Sequence, residues 1–355
     1  MKSSPTVSVV MAVYNGEPFL TSAMRSVLAQ SWRDFEFIVV DDGSTDETPA
    51  TLAAFDDPRI RVLTNDGNRG LPVSLNRGLD EARGEFIARI DADDLWDPRK
   101  LERQLAFLRK NRGVVLLGTA YLEMDESGDP LDRVVMATDH LSLRWKLPFL
   151  CPFCSSTVIW RREPVMREIG GFDPNHAYAQ DWDLWLRIAR RFQVANLSEV
   201  LGRYRIWDQS LTSTHPRADA EVSSIRTDGM REFAVGLPEC EVEPILARGH
   251  QVFQLLFDHS LPDSLPEVRS AVRDFERLSA EFESRLDLSP SNRRRHRARW
   301  RRHVAGRLLR FARVRREGTS GAGTPGELFR LALRVWPSSV ASVRSLRYDL
   351  SQLPG

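Results

Sequence analysis

The chain has 355 residues, 42% of them hydrophobic and 28% charged, which is enough apolar material for one large folded domain and an accessory region. Its net charge of +1 conceals two opposed parts: residues 293–355 hold 16 Lys/Arg against 3 Asp/Glu, and residues 1–292 hold 34 against 46. Three cysteines (Cys151, Cys154 and Cys240) argue against a disulfide framework, and no run reaches the ~18 apolar residues of a membrane span. The expectation is a cytoplasmic protein whose basic end either meets an anionic partner, a membrane's cytoplasmic face or nucleic acid, or is simply a solvated tail.

The opening run Val7–Val13 passes straight into Tyr14-Asn15-Gly16 without a small-residue cleavage site, so it reads as a buried strand rather than a signal peptide. Phe19, Leu20, Ala23, Met24, Val27 and Leu28 then share one helical face. A second strand, Phe35–Val40, ends in Asp41-Asp42-Gly43. Ser44-Thr45-Asp46-Glu47 has the spacing of a capping box opening the next helix. Ile60–Thr64 predicts a third strand, and Leu71, Leu75, Leu79 and Ala82 predict a helix closed near Gly84. Glu85–Ile90 delivers Asp91-Ala92-Asp93-Asp94. Asp97-Pro98 then looks like the N-cap and first position of a helix carrying Leu101, Leu105 and Leu108.

Val114–Leu122 and Ser156–Trp160 read as later strands, and Trp182, Trp185, Leu186, Ala189 and Phe192 as an amphipathic helix starting near Asp181. This alternation predicts an α/β fold, a mostly parallel sheet flanked by helices, over residues 1–215. Residues 216–290 read as a charged helical region. Residues 291–355 form a basic tail with twelve arginines between positions 292 and 317, and with Trp300, Val304, Leu308 and Phe311 at helical spacing. A break at Gly318–Gly326 precedes a last helix, Glu327–Trp336.

In an open α/β sheet, ligands sit beyond the carboxyl ends of the strands. Three such ends carry polar clusters: Tyr14-Asn15-Gly16, Asp41-Asp42-Gly43-Ser44 and Asp91-Ala92-Asp93-Asp94. Clustered carboxylates suit a hard divalent cation, which in turn bridges phosphates. No glycine-rich phosphate loop follows any of these strands, so a metal is the natural substitute.

Taken in order, the segments Ser8–Gly16, Ser26–Ser31, Phe35–Asp46, Asn68-Arg69-Gly70, Asn76, Gly84–Ile87, Asp91–Asp94, Gly170–Asp173 and Gln180–Arg187 resemble glycosyltransferase family 2. The resemblance spans roughly residues 5–212. It implies a GT-A fold, inversion at the sugar carbon, a nucleoside-diphosphate sugar donor, Mg2+ or Mn2+, and a sugar or lipid-linked acceptor in surface polysaccharide or glycolipid assembly. By the same resemblance Ala12, Tyr14 and Asp42, with Asp41 beside them and Asn68 and Arg69 nearby, match donor-binding positions. Asp91 and Asp93 match the DxD motif, with Asp93 as the metal ligand, and Asp181 matches the catalytic base. Gln180 stands where relatives carry Glu, and Trp207 where they carry His.

Plainer readings stand beside these. Asp181 could cap its helix, Asp41, Asp42 and Ser44 could be turn residues, Asp94 and Asp97 could start a helix, and Tyr14, Trp182 and Trp185 could pack in the core. His176 and His215 read as solvated loop residues, and the Cys151/Cys154 spacing lacks thioredoxin-like surroundings. Rival functions are a nucleotidyltransferase acting on a sugar phosphate, and a non-catalytic module gripping nucleic acid through the arginines. On the main reading no nucleic acid is expected.

Overall fold

The computed structural model describes residues 4–208, 210, 216–258, 261–286, 288–314 and 324–335. Two compact units divide at Ile225/Arg226. The first unit is built on a sheet of β1 (Val7–Val13), β2 (Phe35–Asp41), β3 (Ile60–Thr64), β4 (Phe86–Arg89), β5 (Leu95–Trp96), β6 (Val114–Met124), β7 (Pro130–Val134), β8 (Ile159–Arg161) and β9 (Gln193–Arg205). Their order is β3-β2-β1-β4-β8-β6-β9-β5, with β7 on the edge of β6. Strands β1 to β4 run parallel, while β8 enters antiparallel between β4 and β6. The carboxyl ends of β1, β2 and β4 therefore lie side by side.

Strand β1 is apolar almost throughout because both faces are covered. Val10 and Ala12 face a core shared with Leu75 and Leu79 of α3 (Leu71–Glu81), Leu143 of α5 (His140–Lys146) and Trp185 of α7 (Gln180–Arg191). Val9, Met11 and Val13 face another, shared with Leu20 and Met24 of α1 (Leu20–Leu28) and Leu101 and Leu105 of α4 (Lys100–Lys110). Trp182 and Trp185 are core residues, as their helical spacing suggests.

Four local expectations are corrected. The Ser44–Glu47 capping box does not form: α2 (Thr48–Ala53) has no side-chain cap, and Ser44 Oγ instead accepts Asn15 N at 2.9 Å. Helix α4 starts at Lys100 rather than at Pro98, because Asp97 turns the chain by accepting Arg99 N at 2.9 Å. Ser156 is not strand: Ser155–Thr157 form one tight 3-10 turn before β8. Strand β9 has no counterpart in the alternation read above, since Asn196, Ser198 and Glu199 interrupt its apolar pattern.

His140 opens α5 and accepts Val194 N at 3.2 Å through Nδ1. Burial, with Arg144 adding to it, pushes its imidazole down to about 4. Below its ordinary value of 6.5 the unfolded chain takes up a proton that the folded one refuses. Stability is therefore lost as pH falls from 6.5 towards 4, by at most about 3 to 4 kcal/mol at ~1.36 per unit. Urea midpoints at pH 7.5 and pH 5 should differ less for His140→Asn, whose Oδ1 can still accept Val194 N, than for the wild type.

The second unit takes in the end of α8 (Pro216–Ala234), then α9 (Glu239–Ala247), α10 (Gly249–Leu256), α11 (Leu265–Arg285), α12 (Pro290–Val314) and α13 (Pro325–Val335). Helix α12 is the arginine run, and it packs against α10, α11 and α13. Its apolar stripe is occupied within the unit: Trp300, Val304 and Leu308 are buried, and Phe257 meets the Trp300 ring edge-on at 6.0 Å. His303 reaches Leu256 O at 2.6 Å, and Glu283, itself buried, holds His296 and Arg297. The outer face carries exposed Arg294, Arg295, Arg299, Arg302 and Arg310. No helix among the described residues is long and apolar enough to cross a membrane.

Candidate active site

The ends of β1 and β2 form one half of the site. Ala12 is buried in β1 opposite Val40, whereas Tyr14 is 45% exposed, which removes the core-packing reading. Asn15, in a left-handed conformation, accepts Thr45 N at 2.8 Å. Asp41 accepts Ser44 N at 2.9 Å. Asp42 does more than shape a turn. Its carboxylate accepts Arg69 N and Gly70 N, each at 2.9 Å, and Asn65 Nδ2 at 2.6 Å. It thereby pins the Asn68-Arg69-Gly70 loop over the sheet end, leaving the Asn68 and Arg69 side chains exposed. Gly43 is required here: its φ is +72°, and a Cβ would lie 2.5 Å from the Gly67 backbone.

Strand β4 supplies the other half. A Cβ on Gly16 would sit 3.8 Å from the Ala92 Cβ, so the two halves adjoin. Arg89, fully buried, pairs with Asp91 at 2.7 Å. Burial opposes its charge, and Asp91 and Asp181 more than offset that, so its guanidinium is held firmly protonated. Asp91 also receives Ser156 Oγ at 3.3 Å, while its own N–H donates to that hydroxyl at 2.9 Å. Asp93 accepts Trp207 Nε1 at 2.9 Å. Burial and the Asp91 charge push its carboxyl upward.

Asp94 is not a helix-start residue. It is wholly buried and accepts Arg205 N at 2.8 Å, and burial, then the charges of Asp93 and Asp91, push it well up. Arg205 also donates through Nε to Asp93 O at 2.9 Å, and its guanidinium lies 4.2 Å from the Phe19 ring centroid. The end of β9 thus grips the acidic loop from the side.

Asp181 lies in the first turn of α7 but does not cap it. The cap position is Ala179, and the backbone N–H groups of Ala177, Tyr178 and Ala179 donate to Glu221 of α8. Asp181 accepts Trp182 N at 2.7 Å and the Ser155 hydroxyl. Gln180 is buried beside it. Asn76 holds Phe172 by two 2.8 Å bonds, and Arg187 donates to Ile169 O and Gly171 O, so these motif residues shape the loop leading to Asp181. Burial, then nearby carboxylates, pushes the Cys154 thiol well up, and burial likewise that of Cys151, the reverse of a reactive redox pair. His176 is not simply solvated: it is partly buried, with Nδ1 enclosed, in the loop that leads to Asp181, and His215 lies outside the described residues.

Sequence reasoning missed Arg89, Ser155, Ser156, Arg205 and Glu221. Arg89 had a signal: a lone charge inside the apolar run Phe86–Ile90 must be paired if buried. The other four act through tertiary contacts that spacing does not encode.

The polar cluster at the ends of β1 and β2 and the carboxylate cluster after β4 adjoin at the carboxyl ends of the mostly parallel sheet, where an open α/β sheet holds its ligand. Residues 8–170 match Glycosyl transferase family 2. A Bacillus subtilis (strain 168) protein named for glycosyltransferase activity, EpsE, is 38% identical over 211 residues, which is 58% of this chain and 74% of its own. Escherichia coli WfgD, named a UDP-Glc:alpha-D-GlcNAc-diphosphoundecaprenol beta-1,3-glucosyltransferase, is 30% identical over 209 residues, 58% of this chain and 79% of its own. S. aureus TarS 1–349, solved with UDP-GlcNAc, superimposes with a TM-score of 0.57 at 19% identity, covering 94% of this chain and 92% of that one. Against a longer TarS chain this protein spans 49%. The chain belongs to glycosyltransferase family 2 and is a glycosyltransferase; neither the nucleotidyltransferase nor the inert-sheet reading survives.

Proposed function

We propose that the chain transfers a sugar, with inversion, from a nucleoside-diphosphate donor to an acceptor hydroxyl in the assembly of a surface polysaccharide or glycolipid. The observation that carries this reading is the meeting of two carboxylates on one short turn: Ser155 donates to Asp181 and the adjacent Ser156 to Asp91, which also pairs with the buried Arg89 at 2.7 Å. Asp181 takes the proton as the acceptor oxygen bonds to the anomeric carbon. The bond from that carbon to the diphosphate oxygen breaks on the opposite face, and the nucleoside diphosphate leaves with the electron pair. Tyr14, Ala12, Asp41, Asp42 and the loop of Asn68 and Arg69 line the nucleoside end, with Asp42 also holding that loop in place. WfgD, by its name, uses a lipid-diphosphate acceptor, which supports a lipid-linked acceptor here.

Among the described residues no three His, Cys, Asp or Glu side chains group to hold a metal. The donor set nevertheless fits one. Asp93 is pushed upward partly by Asp91, a repulsion that a divalent cation would relieve, and both offer hard oxygen. Asp93 and Asp91 would hold Mg2+ or Mn2+, with the donor's phosphates completing the shell. Such a cation stabilises charge on the leaving diphosphate.

A thermal-shift screen of nucleoside diphosphates and nucleotide sugars, with and without Mn2+ or Mg2+, tests the reading. A ligand at ~100 times its Kd adds about 2.7 kcal/mol, a shift of several degrees. Turnover should release nucleoside diphosphate. Release of pyrophosphate, or no shift with any nucleotide, overturns it.

The exposed arginine face of α12 supports a second element: peripheral docking to anionic lipid, at about 1 kcal/mol per basic residue near the surface. Since the apolar stripe of α12 is buried, this docking is electrostatic and should vanish at high salt. Flotation with phosphatidylglycerol vesicles at low and high salt, for the wild type and for Arg294→Glu/Arg302→Glu, reads it. Salt-insensitive flotation, or flotation unchanged by the charge reversal, argues against it, as does a preference for duplex nucleic acid over vesicles.

A further inference from the structure

The 3-10 turn Ser155–Thr157 stands between the two carboxylates of the site. Its first hydroxyl, on Ser155, donates to Asp181, and its second, on Ser156, joins Asp91. Consecutive side chains of one short turn therefore touch the acceptor-side base and the donor-side acid.

The turn is held rigidly from beneath. Trp96 Nε1 donates to Ser156 O at 2.5 Å, and Gln104 Nε2 donates to Thr157 O at 2.8 Å and to Leu117 O at 3.1 Å. Thr157 Oγ1 closes on Cys154 O at 2.9 Å. The Gln104 amide has its direction fixed by Lys100, whose Nζ donates to Oε1 at 2.9 Å and sits 3.9 Å from the Trp96 ring centroid. Lys100 is 0% exposed. Burial pushes the Lys100 side chain well below the ordinary lysine range, and its Nζ still donates, orienting the two side chains that clamp the turn. Ser156 and Thr157 are themselves buried.

We propose that this turn is a positioning device that sets the orientation of Asp181 relative to Asp91, with Ser155 as the positioning residue for the base. The proposal rests on the reading of Asp181 as base given above, and it adds how that base is aimed. A carboxylate in the first turn of a helix can rotate about its side-chain bonds. Trp182 N fixes one oxygen, and the Ser155 hydroxyl fixes the other. Misplacement by about 1 Å costs up to ~10²-fold in rate.

The experiment uses the full chain, with the nucleotide sugar and the nucleoside diphosphate that stabilise the wild type in the screen above. Ser155→Ala should lower kcat by about 10- to 100-fold while the Kd for nucleoside diphosphate with Mn2+ stays within about twofold, and Ser155→Thr should restore most of the rate. Ser156→Ala should instead weaken nucleotide binding. Crystals of Ser155→Ala should show the Asp181 carboxylate rotated from its wild-type position. The idea is overturned if Asp181 stays in place in that crystal. It also fails if kcat is unchanged, or if only the acceptor KM rises, since Ser155 would then be an acceptor contact. Failure of the base assignment is distinguishable: Asp181→Asn would retain turnover whatever Ser155→Ala does.

Discussion

Asp181→Asn should lower kcat by about 10³-fold, within the ~10²–10⁴ range of a lost general base, and leave the melting temperature within a few degrees. Both halves follow from its contacts. Trp182 N donates to one carboxylate oxygen, and an asparagine oxygen accepts that bond equally well. The Ser155 hydroxyl, which donates to the other oxygen, can turn and accept from the new amide. The loop leading into α7 keeps its anchor, since Glu221 accepts from the backbone N–H groups of Ala177, Tyr178 and Ala179. The amide cannot take a proton from the acceptor. Donor binding should be untouched, so the loss falls on kcat and not on the donor KM. Single-turnover kinetics with calorimetric titration of the nucleoside diphosphate separates the two. Retention of more than about a tenth of wild-type turnover removes Asp181 from the mechanism.

The residues of this site differ in how far they could be read from the chain alone. Runs such as Val7–Val13 and Phe35–Val40 declare buried strands because both of their faces are packed, and the acidic groups following them fall at strand ends by the topology of any open α/β sheet. Helix boundaries were less legible. Ser44 and Asp97 have the side chains of N-caps, but each spends its oxygen on a loop, on Asn15 N and Arg99 N. Local propensity could not foresee that competition. Ser155 and Ser156 were hidden for a related reason: the β-branched and aromatic residues that follow them predict a strand, and only the Gln104 and Trp96 clamp bends the segment into a turn. The arginine run misleads in another way. Its apolar stripe is real, yet a stripe of Trp300, Val304 and Leu308 serves a protein core as well as a lipid surface, and the spacing does not say which.

The acidic loop sets Asp91, Asp93 and Asp94 within four residues, where each negative charge opposes the next. Asp93→Asn should lower kcat/KM by about 10²-fold or more, several kcal/mol of stabilisation on the leaving diphosphate, without weakening the fold. The Asp93 carboxyl is pushed above its ordinary value of 3.8, by burial first and then by Asp91. A raised carboxyl means that the folded state holds its proton more tightly than the unfolded chain does. Its contribution is fully present below 3.8 and is lost as pH rises through the folded value. Asparagine removes this loss. The variant should therefore match the wild type in acid and melt at an equal or higher temperature at neutral pH when no metal or nucleotide is present. Trp207 Nε1 still finds an oxygen on the amide, so the grip of β9 on the loop survives. With Mn2+ and nucleoside diphosphate added, the order should reverse, because only the wild type gains the full binding energy. Melting curves at two pH values, with and without Mn2+ and nucleotide, give four comparisons from one pair of proteins. A variant that melts lower than the wild type in every one of them would mean that Asp93 is a structural acid held by Trp207 and Arg205, and that the charge it places beside Asp91 serves the fold rather than the donor.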